Sequence, residues 1–446
     1  MVISPELFPN VLALINRCQE TITAARLEGD TEPDEAQIRI ECGSEIENDD
    51  LLANLVAETR EALVDAVMDE LYRLGPIEPF LHDPEVTEIV VNAYDKIYTE
   101  RNGVFRREDA MFFDEAHIIR IIDRITTADN RRCDESSPLC DCSLHRPGAS
   151  FDGSRVNCGL RPVAVDSAYI DIRKFRNDAL TVDQLIAGGA FDRRMAAFLE
   201  ALVVGRMNII VMGGTGSGKT TLLNCLSDFL PRGQRIVTIE DTAELHLSGE
   251  HVLRMESRQA NAEGKGEITI QKLVKNALRQ RPDRIVVGEC RGAEAFDMVQ
   301  AMGTGHDGSL TTLHANDPRG AIDRMQSMIQ MAGFDMPDKA IRALIAGSVD
   351  FIVHIKRYMD GSRRIAEISE ICGMEGDVVT MEPIFVFEQE ATAPGEKVRG
   401  RFVATGGRPS AKHADRIRAQ GVDIDQDWFS NMAWDDEDDD EEEYEF

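Results

Sequence analysis

Residues 213–220 have the sequence Gly-Gly-Thr-Gly-Ser-Gly-Lys-Thr, a complete G-x-x-x-x-G-K-[ST] phosphate-binding loop. An apolar run at 208–212 precedes the loop and predicts a strand. The apolar spacing of 221–229 predicts a helix directly after it. A functional phosphate loop needs this order of strand, loop and helix. We therefore expect the chain to bind a nucleoside triphosphate.

The residue types of the loop suggest how it would hold ATP and Mg²⁺. Glycines let the backbone turn tightly and direct its N–H groups at phosphates, and the following helix adds the positive end of its dipole. Lys219 would reach the β- and γ-phosphates, and the Thr220 hydroxyl would ligate Mg²⁺. The predicted nucleotide-binding residues are Gly213, Gly214, Thr215, Gly216, Ser217, Gly218, Lys219, Thr220 and Thr221.

Composition narrows the class of protein. A chain of 446 residues with 43% hydrophobic and 29% charged residues predicts a soluble globular protein of two or three domains. No apolar run reaches the ~18 residues that a membrane helix needs, and no secretory signal is evident. The nine cysteines are expected to be reduced thiols. A net charge of −31 argues against nucleic-acid binding as the main function.

The predicted fold class is α/β, with a C-terminal RecA-like P-loop NTPase domain, a smaller N-terminal α/β domain and a helical lead. Strands alternating with helices after residue 182 indicate a parallel sheet covered on both faces. Helical spacing predicts a helix over 51–74 that Gly75-Pro76 ends, and Asp114 is the predicted N-cap of another helix. The predicted segments are a loose polar and helical lead 1–50, the N-terminal α/β domain 51–175, a linker 176–181, the RecA-like ATPase domain 182–389, a loosely packed appendix 390–434 and an acidic disordered tail 435–446.

The acidic tail contains ten acidic residues in 435–446. A block of like charge is expected to be disordered. It would serve either as a solubilising tail or as a docking segment for a basic partner surface.

Two acidic sites follow buried strands of the predicted sheet. Glu240 lies in the segment 238–244, and Glu289 ends the apolar run that begins at Ile285. Ligands bind at the carboxyl ends of strands in open α/β sheets, where carboxylates can hold Mg²⁺ or orient the attacking water. The alternative is that both are ordinary solvent-facing acids, which the nearby phosphate loop disfavours.

His306 and His314 flank a short predicted strand within 304–315. A lone histidine is usually a hydrogen-bonded core residue. Two histidines beside the Glu289 strand could instead sense the γ-phosphate, although spacing alone does not establish this. Metal binding by the pair is disfavoured, because no third soft ligand is near in sequence.

Two groups in the N-terminal domain have competing interpretations. Arg155 and Arg173 could stabilise charge on the transferring phosphoryl group from outside the phosphate-loop domain, or could form surface salt bridges. Four cysteines and His145 suggest zinc, but C-x6-C-x-C is not a common zinc spacing, so a metal is disfavoured. The cysteines are Cys133, Cys140, Cys142 and Cys158.

Taken together, these motifs closely resemble the secretion ATPases of the type II/type IV superfamily, and within it the Tad/Flp pilus-assembly ATPases, the CpaF group. The order of phosphate loop, acidic box 238–244, Gly-Glu strand end 285–289 and His box 304–315 is theirs. The run 300–316 matches the pilus group almost word for word, as do segments 373–379 and 384–389. The similarity spans about 51–430. The lead 1–50, the acidic tail and the long connection 143–152 depart from the pattern.

The resemblance implies roles for individual residues. Lys219 and Thr220 would hold phosphates and Mg²⁺, and Glu289 would be the strand-end acid at the metal. Glu240 becomes the favoured residue for polarising water, although the choice of base between Glu240 and Glu289 stays open. His306 and His314 fall in the His box, and Arg155 and Arg173 match arginines that reach the nucleotide.

The same resemblance implies an ATP-hydrolysing homo-hexamer. Such a ring would be cytoplasmic, would be peripherally associated with the inner face of the membrane, and would act on inner-membrane platform proteins that move pilin subunits. A RecA-like nucleic-acid motor is the alternative, which the acidic charge disfavours. A nucleotide-gated scaffold without useful turnover is a second alternative, which the presence of both Glu240 and Glu289 disfavours.

Overall fold

The computed structural model describes residues 7–28, 33–101, 103–174, 180–247, 249–260, 263–393 and 395–430. The chain divides into two compact units. The first comprises Met1–Asn177 with Asn261–Lys265, and the second comprises Asp178–Ala260 with Gly266–Phe446. Most of the predicted linker and the whole acidic tail lie outside the described residues. In the part of the chain that is described, no helix is both long and apolar enough to cross a membrane.

The first unit begins with a helical bundle rather than a loose lead. Its helices are α1 (Phe8–Glu28), α2 (Glu35–Asn48), α3 (Ala57–Tyr72) and the short α4 (Glu78–His82). Apolar residues at helical spacing in α1 and α2 are buried against α3, so these two helices are packed and not loose as predicted. Asp34 and Gln37 form a capping box that fixes the start of α2. The predicted helix over 51–74 begins only at Ala57, because Leu55 and Val56 are extended.

An antiparallel sheet and one helix complete the first unit. The elements are β1 (Val86–Ala93), β2 (Lys96–Arg101), β3 (Val104–Glu108), α5 (Glu115–Ala128), β4 (Leu139–Ser143), β5 (Arg155–Gly159) and β6 (Tyr169–Arg173). The strand order is β3-β2-β1-β6-β5-β4. The Asp114 side chain accepts a hydrogen bond from the backbone N–H of His117, which confirms it as the N-cap of α5.

Cys133, Cys140, Cys142 and Cys158 are buried in the core of this sheet. Cys140 on β4 is the direct cross-strand partner of Cys158 on β5, and the thiols are free. His145 pairs with Asp129 at 2.7 Å instead of joining them. Across the described ranges, no group of His, Cys, Asp and Glu residues is arranged to hold a metal ion.

The second unit contains a nine-stranded sheet. Its elements are α6 (Val182–Ala187), α7 (Arg193–Val204), β7 (Ile209–Met212), α8 (Lys219–Asp228), β8 (Ile236–Glu240), β9 (Val252–Glu256), α9 (Ile270–Ala277), β10 (Arg284–Val287), α10 (Glu294–Gly303), β11 (Leu310–Leu313), α11 (Pro318–Gln330), α12 (Asp338–Ser348), β12 (Phe351–Arg357), β13 (Arg363–Glu375), β14 (Val378–Gln389), β15 (Gly400–Ala404) and α13 (Ala411–Ala419). The strand order is β15-β14-β13-β12-β7-β11-β10-β8-β9.

Strands β12, β7, β11, β10, β8 and β9 are parallel to one another, and β13 to β15 add an antiparallel extension beside β12. The four strands predicted in this domain are present. Alternate residues of β7 enter different cores: Ile209 and Val211 pack with α7 and α8, whereas Ile210 and Met212 pack with α10 to α12. Helices therefore cover both faces of the parallel sheet, as predicted.

Within the predicted appendix 390–434, the described residues 395–430 are more firmly packed than the sequence predicts. Strand β15 pairs with β14, and Ile417 of α13 and Phe429 are buried in the same core as α7. The Gly- and Pro-rich composition obscures this, because the order comes from pairing with β14 rather than from local propensity.

Candidate nucleotide-binding site

The phosphate loop connects the end of β7 to the first turn of α8. Gly216 and Gly218 have φ values of 67° and 96°, a left-handed conformation that side chains rarely adopt. A Cβ on Gly213 would lie 2.1 Å from the carbonyl oxygen of Ile355, so only glycine fits there. Thr220 and Thr221 lie half-buried in the first turn of α8. This loop at a helix N-terminus can cradle the phosphates of a nucleotide.

The Lys219 side chain is buried beneath the loop. Its Nζ donates hydrogen bonds to the carbonyl oxygens of Gly213 at 3.2 Å and Gly214 at 2.9 Å. The same Nζ lies 3.4 Å from both ring nitrogens of His314. The Ser217 Oγ is buried and has no hydrogen-bond partner among the described residues. A buried cation, an unpaired hydroxyl and the glycine backbone fit a polyphosphate and its Mg²⁺.

Glu289 and His314 meet at the carboxyl ends of β10 and β11. Glu289 Oε1 lies 3.0 Å from His314 Nε2, and Glu289 Oε2 accepts a hydrogen bond from Arg291 at 2.9 Å. Burial lowers the pKa of His314, and Lys219 adds to this effect against the opposing charge of Glu289. The lowered pKa favours the neutral imidazole at pH 7, so Arg291 is the cation that pairs with the Glu289 carboxylate.

No role was predicted for Arg291 from the sequence. Besides Glu289, its guanidinium lies 3.5 Å from a carboxylate oxygen of Asp241 in the acidic box. It thus joins the segments after β8 and β10. Its position in the sequence, two residues after the strand-end Glu289, could have indicated that it lies at the site.

The Glu240 carboxylate is 3% exposed and ends β8. Its Oε1 accepts backbone N–H hydrogen bonds from Glu244 and Leu245, both at 2.9 Å. Its Oε2 is buried and has no hydrogen-bond partner among the described residues. Burial raises the pKa of Glu240 to about 7, although the two backbone hydrogen bonds oppose this. A carboxylate with a pKa near neutrality is suited to accept a proton at physiological pH.

His306 lies at the other edge of the sheet. It precedes β11, its backbone N–H donates to Ala301, and its carbonyl accepts from Ser309 at 2.7 Å. Because β11 runs parallel to β7, His306 lies at the edge where β7 begins, whereas the phosphate loop follows the end of β7. The structure therefore brings His314, but not His306, to the phosphate loop.

Arg155 and Arg173 belong to the first unit. They are direct cross-strand partners on β5 and β6, and Glu88 of β1 is the partner of Arg173 on the other side. The structure thus places the two arginines next to each other on one sheet.

The phosphate loop after β7 of a parallel sheet defines a P-loop nucleotide-binding domain. The family model for type II/IV secretion system proteins matches residues 70–400. The chain therefore belongs to this family. The match covers part of each unit and includes the phosphate loop, both acidic sites and the His box.

Curated relatives are similar over most of their length. A putative conjugal transfer protein of Mycobacterium tuberculosis is 38% identical over 309 residues, covering 69% of this chain and 87% of that protein. The type IV secretion system protein VirB11 of Brucella suis is 29% identical over 340 residues, covering 70% of this chain and 92% of that protein.

Two solved structures are also similar. The crystal structure of the VirB11 ATPase from the Brucella suis type IV secretion system, in complex with sulphate, has 26% identity and a TM-score of 0.36, covering 66% of this chain and 95% of that one. The pilus retraction motor PilT with bound ADP has 19% identity and a TM-score of 0.47, covering 63% of this chain and 78% of that one.

Proposed function

We propose that this protein is a Mg²⁺-dependent ATPase that powers Tad/Flp-type pilus assembly or related protein secretion. The observation that carries the proposal is the contact chain from Lys219 through His314 to Glu289 beside the phosphate loop. It joins the predicted phosphate-binding lysine to the predicted strand-end acid. The names of the relatives add support, because a type IV secretion system protein, VirB11, is among them.

The two glutamates are proposed to have different roles. Glu289 would hold Mg²⁺ together with Thr220, because its carboxylate lies at the end of β10 beside Lys219 and His314. Glu240 would be the general base, because its Oε2 is unpaired and its pKa of about 7 permits proton transfer. Water would attack the γ-phosphorus, pass a proton to Glu240 and displace ADP as the bond to the bridging oxygen breaks. Mg²⁺ would neutralise charge on the phosphates.

The quaternary arrangement is proposed from the resemblance. The protein would work as a homo-hexamer at the cytoplasmic face of the inner membrane and would act on membrane platform proteins of a pilus or secretion system. Arg155 and Arg173 would act on the nucleotide during turnover, as the resemblance implies. Nucleic acid is not an expected partner, because the chain carries a net charge of −31.

A steady-state ATPase assay with and without single-stranded DNA tests the catalytic proposal. We expect Mg²⁺-dependent turnover that DNA does not stimulate. Strong stimulation by DNA would indicate a nucleic-acid motor, and tight ATP binding without turnover would indicate a nucleotide-gated scaffold. A pull-down from membranes tests the biological role, and we expect an integral-membrane pilus or secretion protein to co-purify.

A further inference from the structure

The β12–β13 hairpin contacts the phosphate loop. Arg363 Nε donates a hydrogen bond to the carbonyl oxygen of Gly216 at 2.9 Å. A Cβ on Gly216 would lie 3.6 Å from a guanidinium nitrogen of Arg357, and a Cβ on Gly218 would lie 3.2 Å from Cδ of Arg363. Both arginines therefore lie at the loop, although 147 residues separate Arg363 from Gly216 in the chain.

Arg357 and Arg363 are directly opposite each other on neighbouring antiparallel strands. Like charges in this arrangement repel and destabilise the pair. Within the described residues Arg357 forms no salt bridge, and both side chains are exposed. The repulsion would be relieved by an anion bound beside the hairpin.

The neighbouring like-charge pair is accommodated differently. Lys356 and Arg364 are also direct partners across the hairpin. The Lys356 Nζ lies 5.2 Å from the ring centre of Tyr358, and the Arg364 guanidinium lies 5.0 Å from that of Phe387. These cations have aromatic partners within the fold. Arg357 and Arg363 lie at the phosphate loop.

We propose that Arg357 and Arg363 form a second, cationic wall of the nucleotide site that binds the phosphate chain of ATP or ADP. Arg363 is a positioning residue, because its hydrogen bond to Gly216 holds the loop in its left-handed conformation. Arg357 supplies positive charge at the same edge of the loop. The proposal rests on the proposed function, since it assigns further residues to the same site. No signal near 213–221 could have predicted it.

The test measures ATP and ADP dissociation constants for full-length wild type, Arg357→Ala, Arg363→Ala and both arginine-to-lysine variants. Lys356→Ala is the matched control, because it removes one positive charge from the same strand on the side away from the loop. We expect each arginine-to-alanine variant to weaken both nucleotides about 5- to 20-fold, and the lysine variants to recover most of the loss. The alanine effect should shrink between low and 1 M salt, where charges are screened within about 3 Å.

The outcomes separate this inference from the proposed function. If the wild type binds ATP but the arginine-to-alanine variants bind nucleotide as tightly as Lys356→Ala does, the proposed cationic wall is refuted and the ATPase proposal stands. Lysine variants that bind as weakly as alanine variants would also overturn it, because charge would not be the cause. If the wild type binds neither nucleotide, both proposals fail. The melting temperature of each variant without nucleotide is compared with that of Lys356→Ala. If an arginine-to-alanine variant melts far below this control, the arginine-to-lysine variant at the same position is used to judge its role.

Discussion

The His314 Nε2 lies 3.0 Å from Glu289 Oε1, and this contact joins the carboxyl ends of β11 and β10. On its other side, the same imidazole approaches Lys219 under the phosphate loop. One neutral side chain therefore separates the main cation of the site from its proposed metal-binding carboxylate. His314 thereby connects the His box to Lys219 of the phosphate loop.

Lys219→Ala should abolish hydrolysis and weaken ATP binding by at least ~100-fold. The change removes a buried ammonium group whose charge would lie on the β- and γ-phosphates. Isothermal titration and a turnover assay measure the two effects. Lys272→Ala, an exposed lysine on α9, is the matched control and should behave as the wild type. Near-normal turnover of Lys219→Ala would refute the nucleotide assignment.

Glu240→Gln and Glu289→Gln should still bind ATP but turn it over at least ~100-fold more slowly. In the proposed mechanism, each substitution removes a charge that would position water or Mg²⁺ rather than one that would bind the nucleotide. An active variant would show that its residue has no essential role. Single-turnover measurements separate binding from chemistry for both variants.

The pH profile distinguishes the two glutamates. As a base, Glu240 works only when deprotonated, so wild-type kcat should rise through pH 7, near its pKa. The residual activity of Glu240→Gln should lack this rise, whereas that of Glu289→Gln should retain it. A rise that persists in Glu240→Gln would assign the base elsewhere.

Because Glu240 is buried, we also expect it to make the stability of the protein depend on pH. Because its pKa is raised from 4.5 to about 7, the folded state binds this proton more tightly than the unfolded chain does. The contribution to stability is therefore full below about pH 4.5 and is lost as pH rises through about 7. Glu240→Gln should gain stability relative to the wild type over this window, which denaturant unfolding at pH 5 and pH 8 can measure. A constant difference would contradict the raised pKa.

His314→Ala should lower turnover more than His306→Ala does. The first change removes the residue between Lys219 and Glu289, and the second alters a residue at the opposite edge of the sheet. We expect a loss of about tenfold or more for His314→Ala, by comparison with losses of other positioning groups. If both variants lose the same turnover, the distance of a histidine from the phosphate loop within one chain does not determine its importance for catalysis.

Arg173→Ala should lower kcat more than it lowers ATP affinity, if the role implied by the resemblance is correct. A charge directed at the γ-phosphate acts mainly on the transition state. Arg106→Ala, an exposed arginine on β3 of the same unit, is the matched control. An unchanged kcat in Arg173→Ala would show that Arg173 has no catalytic role and is only a neighbour of Glu88 in the sheet.

Local sequence predicted the parts of the site that follow strands. The phosphate loop, Glu240 and Glu289 could be placed because each ends a short apolar run, and parallel strands bring their carboxyl ends to one edge. The same rule did not distinguish His314 from His306, since both flank β11. Only the direction of that strand separates them.

Other features depend on contacts that composition does not encode. Arg363 meets Gly216 through the packing of an antiparallel hairpin on the loop, and Cys140 meets Cys158 through strand register. Helix α1 was predicted as loose because its apolar residues are sparse, yet Leu14 and Cys18 are buried by α2 and α3. In each case tertiary packing overrides a weak local signal.

His413 in the C-terminal region lies between two carboxylates. This residue is 3% exposed, its Nδ1 contacts Glu370, and its Nε2 lies 3.0 Å from a carboxylate oxygen of Asp350. Arg416 also pairs with Asp350 at 3.0 Å. The two carboxylates raise the pKa of His413 above 6.5 against the opposing effect of burial, so the charged form links α13 to β13 and to the start of β12.

The sign of the pH dependence follows from this shift. A raised folded-state pKa contributes stability that is complete below pH 6.5 and is lost as pH rises through the folded-state value. The pKa values of Asp350 and Glu370 are lowered, so both stay ionised at pH 6. His413→Gln should therefore destabilise the protein by about 1.5–3 kcal/mol at pH 6, as for a hydrogen bond to a charged group, and by less at pH 9. Denaturant unfolding measures this, with the exposed His251→Gln as control. A loss that does not change with pH would show that His413 acts by packing and not by charge.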